Sequence, residues 1–248
     1  MIMNRVVRFL PWDTEHFGHR IGRASINILN EESYKLLRNA CQELELDCLY
    51  FLADADDQAS ILDLQRRAFL LVDIRSTLQR KLHDLPPSQS VGDAIIRSSS
   101  VRDLETLAAI ARDSFTSTRF FADPYLDNQK ASDLYQIWLT KSMTTNYADR
   151  VLVAEVNHNS VGFVTCHVDK GAGTGQIGLV ALAKSAQGKG LSQTMLQHAL
   201  EWFRDQELTS VSVVTQGHNI AAQRLYQRCG FVTSSTELWF HKWFRNMS

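Results

Sequence analysis

Four cysteines, Cys41, Cys48, Cys166 and Cys229, are scattered over 248 residues, and they form neither a CxxC pair nor a zinc-ligand spacing with histidine. That argues against a disulfide framework and a zinc module and predicts reduced thiols. An excess of one charge is missing too. The formal net charge is -1 with 21% charged residues, so nothing directs the chain to nucleic acid or to an anionic membrane. No apolar run approaches the roughly 20 residues of a membrane-spanning helix, and residues 1–18 lack the apolar core of a signal peptide. The expectation is a cytoplasmic protein without membrane contact. Solenoid repeats and low-complexity tracts are also lacking.

What is present is an ordinary globular composition, 44% hydrophobic, on a chain long enough to bury a sizeable core. One seam stands out. LHDLPPSQSVGD, residues 82–93, carries a proline pair, serines and a glycine between two patterned regions, as a linker does. The boundary is placed near Ser90. Residues 1–90 alternate strand and helix patterns: RASINIL, EESYKLLRNACQELE, CLYFLA, QASILDLQRRA and FLLVDIRSTLQRKL, which predicts a small α/β domain. In residues 91–248, DAIIRS reads as a strand, then a helix starts at Ser100 with Asp103 as a weak capping partner. A second helix covers ASDLYQIWLTKSM, and RVLVAEV, SVGFVTCHV and GQIGLVALA read as strands.

LVALAKSAQGKGLSQTML, residues 179–196, passes from apolar strand through two glycines into a helix, with Leu191, Met195, Ala199 and Phe203 at helical spacing. The first amides of that helix have no partner within it, and they lie in the glycine turn. Together with the positive end of the helix dipole they suit an anion, and glycine lets a phosphate approach the backbone. Alone, such a motif reads first as an exposed turn between strand and helix. VSVVTQGHNIAAQRLYQRCGF, residues 211–231, repeats the strand-to-helix passage, with Asn219 as N-cap and Gly230 as stop.

Together the two segments resemble the GNAT superfamily of acetyl-CoA-dependent N-acetyltransferases, over roughly residues 90–248. The resemblance implies a mixed, splayed central sheet flanked by helices, here preceded by the smaller α/β domain. Gln187, Gly188, Lys189, Gly190, Leu191 and Ser192 fill the family's Q/R-x-x-G-x-G/A loop, which holds the coenzyme A pyrophosphate; Ser192 replaces the usual Gly or Ala. Asn219, Ala221, Ala222, Tyr226, Gly230 and Phe231 match the N-x-A-A-x-x-x-Y-x-x-x-G-F signature. By the same resemblance the backbone of Val180, Ala181 and Leu182 would pair with pantetheine, and Asn219 would reach the pantetheine arm. Lys184 stands where many relatives have proline. Acetyl-CoA is the implied co-substrate, and no metal is implied.

Tyr226 is the implied acid. Acetyl transfer to an amine must expel a thiolate, and a phenol near pKa ~10 can give its proton to a thiol near ~8.5. The base stays open among Glu155, His167 and water. Residues 12–23 and 115–139 are similar to segments of bacterial TDP-fucosamine acetyltransferases, which act on dTDP-linked dideoxy amino sugars. That implies a nucleotide-sugar acceptor, with Arg119 as a cation for phosphate and Phe120, Phe121 and Tyr125 as aromatic faces. Another amine, such as a peptide N-terminus or an aminoglycoside, and a non-catalytic acyl-CoA-binding module remain the alternatives. A homodimer stays open.

Overall fold

Short polar side chains start most of the longer helices. Asn30 accepts the Ser33 amide at 2.9 Å, Asp57 that of Ser60 at 3.0 Å, Asp127 that of Lys130 at 2.9 Å and Asn219 that of Ala222 at 3.1 Å, each satisfying an amide the helix cannot. In the computed structural model, which describes residues 6–86 and 93–244, these four begin α2 (Glu31–Glu43), α3 (Gln58–Arg66), α6 (Asn128–Thr144) and α8 (Ile220–Arg228). The remaining helices are α1 (Pro11–Phe17), α4 (Leu104–Ser114), α5 (Arg119–Ala122) and α7 (Leu191–Asp205). Ser100 and Asp103 form a reciprocal capping box ahead of α4. The expected boundary near Ser90 lies outside the described residues.

Ten strands form one sheet. They are β1 (Val7–Phe9), β2 (Ile21–Ala24), β3 (Cys48–Asp54), β4 (Leu70–Lys81), β5 (Ile95–Ser98), β6 (Arg150–Val156), β7 (Asn159–Asp169), β8 (Thr174–Leu182), β9 (Ser210–Gln216) and β10 (Val232–Trp243). Their order across the sheet is β1-β2-β3-β10-β4-β9-β8-β7-β6-β5. The sheet is mixed: β2 pairs with β3 and β8 with β9 in parallel, and the other neighbours are antiparallel. β4 enters between β9 and β10, so the C-terminal strand is held on both sides by strands from before residue 82.

Helices cover both faces. Buried residues of α7 and α8, among them Met195, Phe203 and Tyr226, pack with Leu78, Ile177 and Val213, and α2 and α3 pack beside them on Phe51 and Phe240. The opposite face carries α1, α5 and α6 on Cys48 and Tyr50, and α4 with α6 on Val153 and Phe163. Successive strand residues alternate between these layers, as the pleat requires.

Two readings are corrected. The strand expected over residues 23–29 ends at Ala24, opposite the start of the three-residue β1; one more bond, from the Ser25 amide to the Val6 carbonyl at 2.8 Å, closes the pairing. Beyond it, Leu29 donates its amide to Ser60 Oγ at 2.7 Å and Asn27 bonds Asp54 at 2.9 Å. β10 has no counterpart among the expected strands, since its first half is polar and exposed.

Leu78 of β4 is fully buried among residues of α7, α8 and β9. Leu78→Ala should cost about 2–5 kcal/mol. Because β4 lies inside the sheet, urea unfolding followed by tryptophan fluorescence and by circular dichroism should show one lowered transition with coincident curves.

Candidate active site

The parallel pairing of β8 with β9 runs from Thr174–Ser210 to Ile177–Val213 and stops. Beyond that point β8 stays with β7 and β9 stays with β4, through Val164–Val180 on one side and Arg75–Gln216 on the other. Gly178 sits at the parting. A Cβ there would come within 2.6 Å of Thr165 Oγ1 and 2.7 Å of His167 Nε2. Thr165 Oγ1 instead accepts the Leu179 amide at 2.8 Å, where the β7–β8 register shifts.

A groove of about 1400 Å³ opens at the gap. Val180, Ala181 and Leu182 line it along the strand, with Thr106, Ile110 and Asp113 of α4 on one side and Ala222, Leu225 and Tyr226 of α8 on the other. Gln187, Gly188, Gly190, Leu191 and Ser192 close its end. Gly188 and Gly190 have φ of +76° and +80°, values that side chains disfavour. Gly190 precedes α7 without a side-chain cap, so the first amides of a 15-residue helix are left for an anion.

Some expected residues do other work. The Gln187 side chain donates to the Leu182 carbonyl at 3.1 Å, tying the turn to the strand end. Lys189 reaches the Ser185 carbonyl at 2.9 Å and does not line the groove, and Asn219 caps α8 outside the lining. Tyr226 is 6% exposed, with its ring edge toward Phe231. Burial pushes its phenol well above the ordinary value, so it stays protonated across the neutral range.

The residues expected to meet the acceptor fall in or beside one aromatic cluster. The Arg119 guanidinium lies 4.1 to 4.5 Å from the ring centres of Phe120, Tyr50 and Trp239. Phe120 is buried against Phe17 and Trp138, whereas Tyr125 is 45% exposed and meets Trp243 edge-on. Phe121 is partly buried beside the same cluster. Arg119 Nη1 is 3.0 Å from His241 Nε2, and His241 Nδ1 is 2.6 Å from Asp123 Oδ2, which also accepts from Trp243 Nε1 at 3.0 Å. Arginine can only donate. His241 therefore accepts at Nε2 and donates at Nδ1, a neutral ring. Cys48 lies beside this pair, with the three candidate ligand atoms within 4.8 Å. Both ring nitrogens are already committed and a guanidinium stands alongside, which disfavours a metal ion.

Residues 113–231 match the family model described as the acetyltransferase (GNAT) family. These residues are a GNAT acetyltransferase domain. The chain is 30% identical over 148 residues to the spore coat polysaccharide biosynthesis protein SpsD of Bacillus subtilis, covering 57% of this chain and 48% of that one. It is 25% identical over 157 residues to dTDP-fucosamine acetyltransferase of Escherichia coli, covering 63% and 66%. The matches thus span about half of the first relative and just under two thirds of the second. A GCN5-related N-acetyltransferase from Sphaerobacter thermophilus superposes with a TM-score of 0.69 at 13% identity, over 96% of this chain and 76% of that one. Another from Kribbella flavida gives 0.61 at 14% identity, over 90% and 81%. The fold is the GNAT fold, a large mixed sheet flanked by helices.

Within the GNAT domain, neither Glu155 nor His167 lines the groove. Glu155 is held by Arg97 at 2.7 Å, in a network with Asp103 and Ser160. His167 is pushed down by burial, which leaves it neutral, and it faces Tyr147. No helix among the described residues is long and apolar enough to cross a membrane.

Burial lowers His241 to about 4. With an unfolded value near ~6.5, its contribution to stability is complete above that pH and is lost as the pH falls toward 4. The loss should be on the order of 2–3 kcal/mol. Melting curves from pH 7.5 to 4 should show a decline that His241→Gln makes shallower.

Proposed function

We propose that this chain transfers the acetyl group of acetyl-CoA to the amine of a small acceptor, a dTDP-linked amino-deoxysugar. The observation that carries the reading is the groove itself. An uncapped helix N-terminus lies at one end, the backbone of a parted strand runs along it, and the Tyr226 side chain lines it. The first supports a pyrophosphate, the second an amide-bearing arm that bonds as a strand would, and the third a leaving thiolate. The sugar half of the reading is supported by the names of the two relatives, one in polysaccharide biosynthesis and one a dTDP-fucosamine acetyltransferase.

The chemistry follows from these groups. A neutral amine attacks the thioester carbonyl carbon, forming the C–N bond and a tetrahedral intermediate. The C–S bond then breaks, and the Tyr226 hydroxyl gives its proton to the departing sulfur; the proton lost by the amine returns to the phenolate through solvent. Glu155, already bound to Arg97, is poorly placed as the base, so water in the open groove takes the amine proton in this reading.

Tyr226→Phe keeps the ring and removes the proton. It should lower kcat by roughly 10²- to 10⁴-fold with coenzyme A affinity intact, and activity within a few-fold of the parent would remove Tyr226 from the role. Gly190→Asp forces a side chain into the left-handed region and sets a carboxylate against the pyrophosphate. Calorimetry should then show coenzyme A affinity lost in a chain that still folds. A panel of dTDP-amino-sugars, aminoglycosides and peptides tests the acceptor. Turnover of peptides or aminoglycosides alone would replace the sugar reading and leave acetyl transfer standing.

A further inference from the structure

A second pocket, of about 340 Å³, lies on the sheet face that carries α1, α5 and α6, among Arg8, Arg23, Asn27, Leu52 and Glu237. Arg8 and Arg23 are direct partners across β1 and β2, a like-charge pairing that costs stability. Among the described residues neither has a carboxylate at ion-pair distance. The carboxylate in the pocket, Glu237, is bound by Arg75 at 2.5 Å. Arg23 instead lays its guanidinium over Trp239, 4.9 Å from the ring centre, and Arg119 lies 4.5 Å from the same ring. Arg23 is depressed by burial and then by Arg119, Arg8 and Arg75, with Glu237 opposing. Two guanidiniums therefore sit on one tryptophan, with Arg8 and Arg75 near enough to Arg23 to act on its charge and Glu237 the carboxylate ion-paired within the group. Asp13 is close enough to Arg8 and Arg119 to feel both, but forms no ion pair with either among the described residues.

The pocket's position gives this field a use. Trp239 stands on β10, and β10, β4, β9 and β8 are successive strands. At about 4.8 Å per strand, the Trp239 ring is roughly 14 Å from β8. Glu237, Arg75 and Gln216 form one row across the sheet, and Gln216 lies beyond Val213, on the length of β9 that no longer pairs with β8. An acceptor with its amine at the gap and a sugar ring along this row would carry its next group to the arginines.

Resting on the nucleotide-sugar reading, we propose that Arg8, Arg23 and Arg75, around Trp239, form the site that binds the diphosphate of the acceptor. Arg23 and Arg8 donate to phosphate oxygens, and Arg75 joins them by releasing Glu237. Arg119, fixed by His241 and three rings, is a positioning residue that keeps the floor of the site cationic.

The test is calorimetric titration of dTDP into the full chain already saturated with coenzyme A, so that the groove is filled. The parent, Arg8→Gln and Arg23→Gln are compared, with inorganic pyrophosphate and thymidine as further probes. Each variant should bind dTDP about ten- to a hundredfold more weakly, the size of a lost charge-assisted hydrogen bond, and should bind coenzyme A as the parent does, which also reports folding. Pyrophosphate should compete with dTDP, and thymidine should not. Arg8 is exposed on a three-residue edge strand, so its variant keeps the test decisive if Arg23→Gln does not fold. Tight dTDP binding by the parent and unchanged binding by the folded variants would overturn this site and leave the nucleotide-sugar reading intact. A parent chain that binds no dTDP would overturn the reading itself.

Discussion

The molecule depends on where two parallel strands stop pairing. β8 and β9 share four residue pairs and then follow different neighbours, β8 with β7 and β9 with β4. A strand that leaves its partner inside a sheet exposes a row of amides and carbonyls that must be satisfied. Here the protein meets that demand only in part, with Gln187 on the Leu182 carbonyl. The rest of the edge faces a groove wide enough for a chain-like ligand, and the start of α7 opens into the same groove. One topological event thus supplies both a backbone edge and a set of free amides.

The N-terminal third takes part in holding that gap open. β4 pairs with β9 over seven residues and with β10 along most of its length. β9 is therefore fastened on the side away from β8, and it can diverge without loss of order. The same insertion extends the sheet beyond the GNAT domain and places Arg8, Arg23 and Trp239 on a face continuous with the gap. An added strand layer here is at once structural support and the surface on which a long acceptor would lie.

Much of this was legible in the sequence because it is governed by local rules. Helix starts at Asn219 and after Gly190, the stop at Gly230 and the core strands from β6 to β9 follow from caps, glycines and apolar runs. The gathering of Gly188, Gly190, Val180 and Tyr226 on one groove followed from a resemblance in motif order. What was not legible depends on distant pairing. β10 begins with VTSST, polar residues that acquire strand structure only because β3 and β4 stand on either side. The Arg8–Arg23 pairing requires the β1–β2 register, and no local pattern announces it. Arg119 was legible as a cation near aromatics, but its three rings come from β3, α5 and β10, and its hydrogen-bond partner lies 122 residues away.

The net charge of -1 conceals how differently the two candidate anion sites are built. At the groove, positive potential comes from backbone amides and a helix dipole, which need no side-chain charge and stay fixed whatever the pH. Around Trp239 it comes from guanidiniums, which are charged at every working pH; Arg23 and Arg119 are set on the ring, and Arg75 is paired with Glu237. A backbone site is narrow and suits a ligand that enters along one path. A guanidinium site can adjust its side chains to a ligand that must slide until its amine reaches the gap. In the proposed reading each anion has a field of its own, helix amides for the coenzyme and guanidiniums for the acceptor, so the phosphates do not compete for one site.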